Sequence, residues 1–458
     1  MSASSDGLLR HFRLRSATAL VIANIIGAGI FTSTGFQAAD LGHTGFIFVL
    51  WIVGGVLALC GALCFAELGT AMPKAGGEYV YLRETFGPAA AFMSAFVSLT
   101  AGFSAPIAAA CKGFARYFAA LLPESVTWPE WMPISGIDTS ALVIAWALVL
   151  IHCRGVRGGV AFNDFITVFK VGGIIVIILA AFTIGKGSFS NLASTSQVYT
   201  DASAMDLGKG FGTSLIFVGF CYSGWNAAAY VAGEMHDPQR DLPRALLMGT
   251  GVVVLLYLGL NAVYFYGASL DELAGEVEVG LIASRNLFGE QGAMLVTSVL
   301  CVSILASASA MTIAGARVYY AFGQDTTSLD FLGRVGAKSG APTAALLLQG
   351  VVTSFIIVSG RIDQIQQYAG FTITLFGSLA VLCVIVLRIR RPDMPRPFKT
   401  WGYPLPPLLF LVLAGITMTW AMTGRPLEST LSFITVVVGG ALFYVMVGRK
   451  GAGVSADS

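Results

Sequence analysis

The sequence is short of charge. Its 25 Asp and Glu and 27 Lys and Arg amount to 11% of 458 residues, where a soluble globular chain carries about a quarter. That is too little polar surface to coat a body of this size in water, which excludes a soluble enzyme or a disordered chain. The formal net charge of +2 gives no electrostatic footprint for nucleic acid. There are four His (His11, His43, His152, His236), and none stands at metal-ligand spacing from another candidate ligand. Neither HExxH nor paired aspartates at membrane depth occur, so no metal, no cofactor and no enzymatic chemistry are expected. The seven Cys (60, 64, 111, 153, 221, 301, 383) form no CxxC and lie in or at the ends of apolar stretches. They read as small packing residues and not as a disulfide framework.

What is abundant is apolar: 56% hydrophobic residues and 54 Gly. A bilayer core takes roughly 20 apolar residues per helix, and the sequence supplies about twelve such runs. They are expected at 17–39, 45–71, 88–122, 139–153, 160–184, 207–233, 242–268, 292–322, 342–359, 365–387, 405–423 and 429–447. The third and eighth are long enough to tilt or protrude. The fold class is therefore an all-α membrane protein. The first run follows three arginines and is too long for a signal-peptide core, so it is read as a span. Of the 27 Lys and Arg, nineteen fall in segments or at span ends on the N-terminal side, five in or beside the alternate segments, and Lys112, Arg116 and Lys170 deeper within spans. Such a bias places both termini in the cytoplasm. The resulting organisation is a tail at 1–16, a ten-helix core at 17–387, a Pro-rich linker at 388–404, two further helices at 405–447 and a tail at 448–458. The core divides into halves of about 17–184 and 207–387.

Two spans carry glycine breaks near their middles, Ile26-Gly27-Ala28-Gly29-Ile30-Phe31 in the first and Gly219 to Asn226 in the sixth. These are the opening spans of the two five-span halves. Paired interruptions at matching places point to a transporter's binding site. Breaking a helix in the membrane frees N–H groups at one new end, which suit an anion, and carbonyls at the other, which suit a cation. An amino acid presents both charges on one carbon. The N–H groups around Ala28, Gly29 and Ile30 are thus expected to hold a carboxylate, and carbonyls of Ile25, Ile26, Phe220 and Ser223 an ammonium. Taken singly, either glycine cluster reads more readily as close helix packing; it is the pair, placed as it is, that points to a site.

These motifs resemble the amino acid–polyamine–organocation superfamily. Ile25 to Phe31 is similar to its first-helix motif. Phe220 to Asn226, with Gly233-Glu234-Met235 and Pro238 to Ala245, resembles its L-type amino acid transporter branch. Pro73 to Tyr81 resembles that family's first cytoplasmic loop, and Arg317-Val318-Tyr319-Tyr320-Ala321 the end of its eighth helix. The resemblance covers nearly the whole chain. It implies a LeuT-type fold of two inverted five-helix repeats plus two additional C-terminal helices. It implies Gly27 and Gly29 beside the carboxylate site, Phe220 as an aromatic gate, and Cys221 within the substrate site. Tyr222, Trp225 and Asn226 are expected to support the second break.

Lys170 lies deep in the fifth span, and an intramembrane charge marks function by default. In the resembling family a lysine here stands where sodium-coupled relatives bind sodium, which implies sodium independence. Two roles stay open for it. One is a fixed charged strut. The other is a group that titrates and couples transport to protons, since burial disfavours the charged form. Lys112 and Arg116 are expected to reach the surface. Ser104, Ser307 and Ser309 are expected to bond their own helix backbone.

No acidic residue stands mid-span in the first, third, sixth, eighth or tenth runs, which favours a neutral substrate side chain. The expected function is sodium-independent transport of neutral amino acids by exchange or proton symport. A cationic amino acid or polyamine carrier, and a non-transporting amino acid sensor, are the other readings. The loop Leu122–Asp138 contains no Cys. A disulfide-linked accessory subunit is therefore not expected, which fits a stand-alone member of a bacterial inner membrane.

Overall fold

The computed structural model describes residues 12–448 except 75, 124–127, 129–133, 155–158 and 337–339. Most of both expected tails and much of the loop 122–138 lie outside the described residues. Among the described residues the secondary structure is helical apart from two isolated bridges, Phe12 with Met235 and His43 with Thr195.

The first span is divided into α1 (Leu14–Ile25), α2 (Gly29–Thr32) and α3 (Thr34–Leu41). α4 (Thr44–Ala71) is the second span, and α5 (Glu78–Phe86) lies in the connection that follows. The third span is α6 (Pro88–Val97), a π-helical segment Ser98–Ser104, and α7 (Ala105–Ala119). Its π segment has a local cause: Pro106 lacks the N–H that would bond the Gly102 carbonyl, and its ring displaces that carbonyl. α8 (Gly136–Cys153) and α9 (Gly159–Ile184) are the fourth and fifth spans. A short α10 (Gln197–Asp201) leads to α11 (Ala204–Tyr222) and α12 (Ala227–Tyr230), the divided sixth. α13 (Pro238–Gly267) is the seventh and α14 (Leu270–Leu273) caps the loop after it. α15 (Val279–Asp325) contains the eighth, α16 (Thr343–Ser359) the ninth, and α17 (Ile362–Arg390) the tenth. α18 (Leu405–Gly424) and α19 (Pro426–Phe443) complete the chain. Ten of these stretches are long and apolar enough to cross a membrane. α11 and the shorter apolar α16 fill the sixth and ninth places.

The great length of α15 has one cause: Gly289 at φ 72° separates a short leading helix from the spanning one. The leader belongs to the loop after the seventh span, and the expected eighth span, 292–322, lies wholly beyond Gly289. Within the sixth span the helix stops at Tyr222, because Ser223 leaves helical geometry and Gly224 adopts φ 96°, and it resumes at Ala227.

The core forms where the first, second, sixth and seventh spans meet: α13 lies along α4 and α1, and α11 along α4, α17 and α18. The linker before α18 is clamped to this core. Glu67, 2% exposed at the end of α4, accepts from Arg388 Nε and Nη2 at 2.9 and 2.7 Å and from the Thr400 N–H at 2.7 Å. Arg396 approaches the same carboxylate at 3.5 Å. Bidentate pairing with a backbone donor is the arrangement that offsets burial of such a charge.

Lys112 does not reach the surface as expected. It is buried, pairs with Asp138, and donates to the Ile357 and Gly360 carbonyls at 2.9 and 2.8 Å. This pins the third, fourth and ninth spans together. Arg116 pairs with Glu278 of the loop between the seventh and eighth spans. Ser309 meets His152 Nε2 at 2.9 Å across to α8, not its own helix.

Candidate functional site

Two interrupted helices face each other at the centre. α1 stops at Ile26, whose ψ of 82° leaves helical geometry, and Gly27 N–H turns back to Ile25 O at 2.8 Å. The chain re-enters helix at Ala28, so Gly29 and Ile30 present N–H groups in a first turn that has no helical partner for them. The breaks press directly on one another. A Cβ on Gly29 would lie 2.7 Å from Cys221 Sγ, and one on Gly224 would lie 2.9 Å from the Asn24 carbonyl carbon. Close backbone approach is thus the physical reason for both glycines.

Tyr257 of α13 joins the two breaks. Its hydroxyl lies 2.7 Å from Ile25 O and 3.0 Å from Cys221 O. Nothing in the linear sequence marked this residue, because its role depends on which helix packs behind the breaks.

Lys170, 1% exposed, reaches from α9 to the same place. Its Nζ lies 2.9 Å from Ile26 O, 2.6 Å from Ser307 Oγ and 3.5 Å from Ala23 O. Ser307 also bonds Ile26 O. It bonds its own helix at Ser303 O too, at 3.1 Å; the cross-link to the broken helix is what the sequence did not reveal. The Ile25 and Ile26 carbonyls, expected to face an ammonium, therefore already accept protein donors.

The supporting residues hold the second break from outside. Tyr222 donates to Trp51 O at 3.2 Å. Trp225 sets its ring edgewise on Phe65, centroids 4.7 Å apart. Asn226 donates to the Tyr230 hydroxyl at 3.3 Å. Phe220 is buried beside Gly370 of α17, and its carbonyl accepts the Ser223 N–H at 3.0 Å.

A cavity of about 1240 Å³ runs from the breaks to the face that carries Phe12. Asn24, Ser223, Gly224 and Asn226 line it at the breaks, with Gly102, Phe103 and Pro106 of the third span, Met311 of the eighth, and Ile373 and Phe376 of the tenth. All are uncharged. The charged lining residues, Lys74, Glu78, Arg83, Glu84, Asp164, Glu234 and Arg317, belong to connections and helix ends. Of the expected binding residues only Ser223 lines this cavity, together with the supporting Asn226; Ile25 to Ile30, Phe220 and Cys221 stand behind it.

The opposite face is shut. The loop between the seventh and eighth spans leans on α3, where Gly275 N–H bonds Gly35 O at 2.8 Å and a Cβ on Gly35 would strike Glu276 O. Tyr117 bonds Phe31 O at 2.5 Å and accepts from the Gly280 N–H at 3.2 Å. One-sided access to paired helix breaks is the geometry of a transporter.

Comparison with known proteins agrees. The family model described as amino acid permease matches residues 12–444. The chain belongs to the amino acid permease family. The permease is 28% identical over 452 residues to the large neutral amino acids transporter small subunit 2 of Rattus norvegicus, covering 97% of this chain and 83% of that one. It is 27% identical over 445 residues to the b(0,+)-type amino acid transporter 1 of Mus musculus, covering 96% and 88%. The protein is thus a multi-span membrane transporter of the amino acid permease family, and not an enzyme.

Proposed function

We propose that the permease carries neutral amino acids by alternating access, independently of sodium. The observation that carries this reading is the cavity, whose charged side chains are confined to its mouth while its walls at the breaks are uncharged. A substrate side chain with a charge would find no partner there, and an unpaired charge in a low-dielectric site is costly. The ammonium would take the Ser223 side of the second break at the cavity wall, and the α-carboxylate the N–H groups of Gly29 and Ile30 immediately behind that wall, once the wall rearranges around the substrate. The name of the rat relative, for large neutral amino acids, supports the same substrate class.

Sodium independence rests on Lys170. Its ammonium occupies the oxygen cage formed by Ile26 O, Ala23 O and Ser307 Oγ, where a metal cation would otherwise sit. On this reading the bias of Lys and Arg makes the side of Phe12 and the cavity mouth cytoplasmic and the arrangement inward-open, and the first, second, sixth and seventh spans would rock against the rest. A covalently attached accessory subunit is not part of this reading.

Uptake of labelled leucine and alanine into proteoliposomes without sodium tests it. Uptake confined to preloaded vesicles means obligatory exchange, with Lys170 a fixed charge. Uptake into empty vesicles driven by an inward proton gradient means symport. A strict sodium requirement, or transport of lysine but not leucine, overturns the proposal.

A further inference from the structure

Behind the first break a second layer of polar residues is completely buried. Gln366 of α17 and Thr32 and Ser33 of the first span are each 0% exposed. Gln366 Nε2 donates to Thr32 Oγ1 at 2.7 Å, and Ser33 Oγ donates to Gln366 Oε1 at 3.1 Å. Thr32 in turn donates its own proton to Ala28 O at 3.0 Å, and Cys221 Sγ donates to Ser33 Oγ at 3.3 Å.

The protons of this chain of bonds are consistent with the amide as it is placed. Thr32 has one hydroxyl proton, and it goes to Ala28 O, so Thr32 can only accept from Gln366. The amide nitrogen must therefore face Thr32 and the amide oxygen Ser33. A carboxylate in place of the amide would demand that Thr32 donate to it, and Ala28 O would keep only the Phe31 N–H. The chain begins at the second break, at Cys221, and ends at Ala28 O in the first. Its middle member lies on α17, which also packs against the second break through Gly370 beside Phe220. Buried polar chains of this kind fix orientation because any unpaired member costs about 1–3 kcal/mol.

We propose that Gln366 is a positioning residue for the substrate carboxylate: through Thr32 and Ala28 it sets the direction of the N–H groups of the turn Gly29–Thr32. This rests on the assignment of that turn as the carboxylate site, and the test separates the two. Purified permease is titrated with leucine and with leucinamide, which lacks the carboxylate, and the rise in melting temperature gives each dissociation constant. The wild type binds leucine much more tightly than leucinamide. Q366M weakens leucine about tenfold and leaves leucinamide unchanged, so their ratio falls about tenfold. T32V, which removes the same bond without touching Gln366, does likewise. T32S, which keeps the hydroxyl, restores the wild-type ratio, and T32V/Q366M loses no more than either alone. A wild type indifferent to the carboxylate overturns the site assignment and this proposal with it. A discriminating wild type whose ratio survives in Q366M and T32V, or a Q366M that weakens both ligands equally, overturns the role of Gln366 alone. If Q366M does not fold, T32V with T32S carries the same decision.

Discussion

Lys170 donates to the carbonyl of Ile26 at 2.9 Å, tying the fifth span to the residue at which the first helix breaks. Charge-assisted bonds of this kind contribute about 1.5–3 kcal/mol, and 1.4 kcal/mol is a factor of ten. Lys170→Met is expected to lower uptake at least tenfold in proteoliposomes while the protein still reconstitutes. Ser307→Ala is expected to cost less, because Lys170 keeps Ile26 O satisfied. Wild-type uptake by K170M, normalised to incorporated protein, would contradict the tie.

Tyr257 serves both breaks with one hydroxyl. Tyr257→Phe keeps the ring and strips the bond, so Cys221 O loses its donor while Ile25 O retains only Gly27 N–H. The expected loss is about 1–3 kcal/mol, seen as a lower melting temperature together with a changed maximal uptake rate. An unchanged melting temperature and rate would mean that the breaks are held without it.

Gly27 and Gly29 look alike in sequence and are expected to respond oppositely to a methyl group. A Cβ on Gly27 has only Ile25 O, at 3.9 Å, nearby, whereas one on Gly29 meets Cys221 Sγ at 2.7 Å and Cα at 3.1 Å. Overpacking of this kind costs about 1–3 kcal/mol. Gly29→Ala should therefore abolish leucine-induced thermal stabilisation, and Gly27→Ala should retain it. The reverse order would show that the breaks do not touch as described.

Glu78 stands on α5, outside the spans, with one hydroxyl partner, Ser94 Oγ at 3.2 Å. Burial pushes its carboxyl up to about 7, and the Ser94 bond only partly opposes this. The folded state therefore binds more protons than the unfolded state between the ordinary glutamate range and 7. Stability from this group is present at low pH and is lost as pH rises through about 7. Melting temperature should fall from pH 5 to 8 in the wild type, and this part of the fall should vanish in Glu78→Gln. An E78Q profile that parallels the wild type would assign the pH dependence to other groups.

The sequence by itself determined the class of protein. Spans show as runs of about 20 apolar residues because lipid tolerates little else, and the two breaks show because Gly27, Gly29 and Gly224 interrupt such runs. Lys170 was legible for the same reason: a charge in an apolar run is conspicuous. What Lys170 touches was not. Ser307 lies 137 positions away, and its hydroxyl looks like any serine that could bond its own helix. Lys112 looked free to reach the surface until the fourth and ninth spans were packed around it. Tyr257 and Gln366 carry no local signal at all, because tyrosine and glutamine at helix positions are ordinary. Local composition decides where a chain leaves helix; only the packing of distant helices decides which carbonyls and hydroxyls meet there, because those bonds form between groups that no sequence spacing relates.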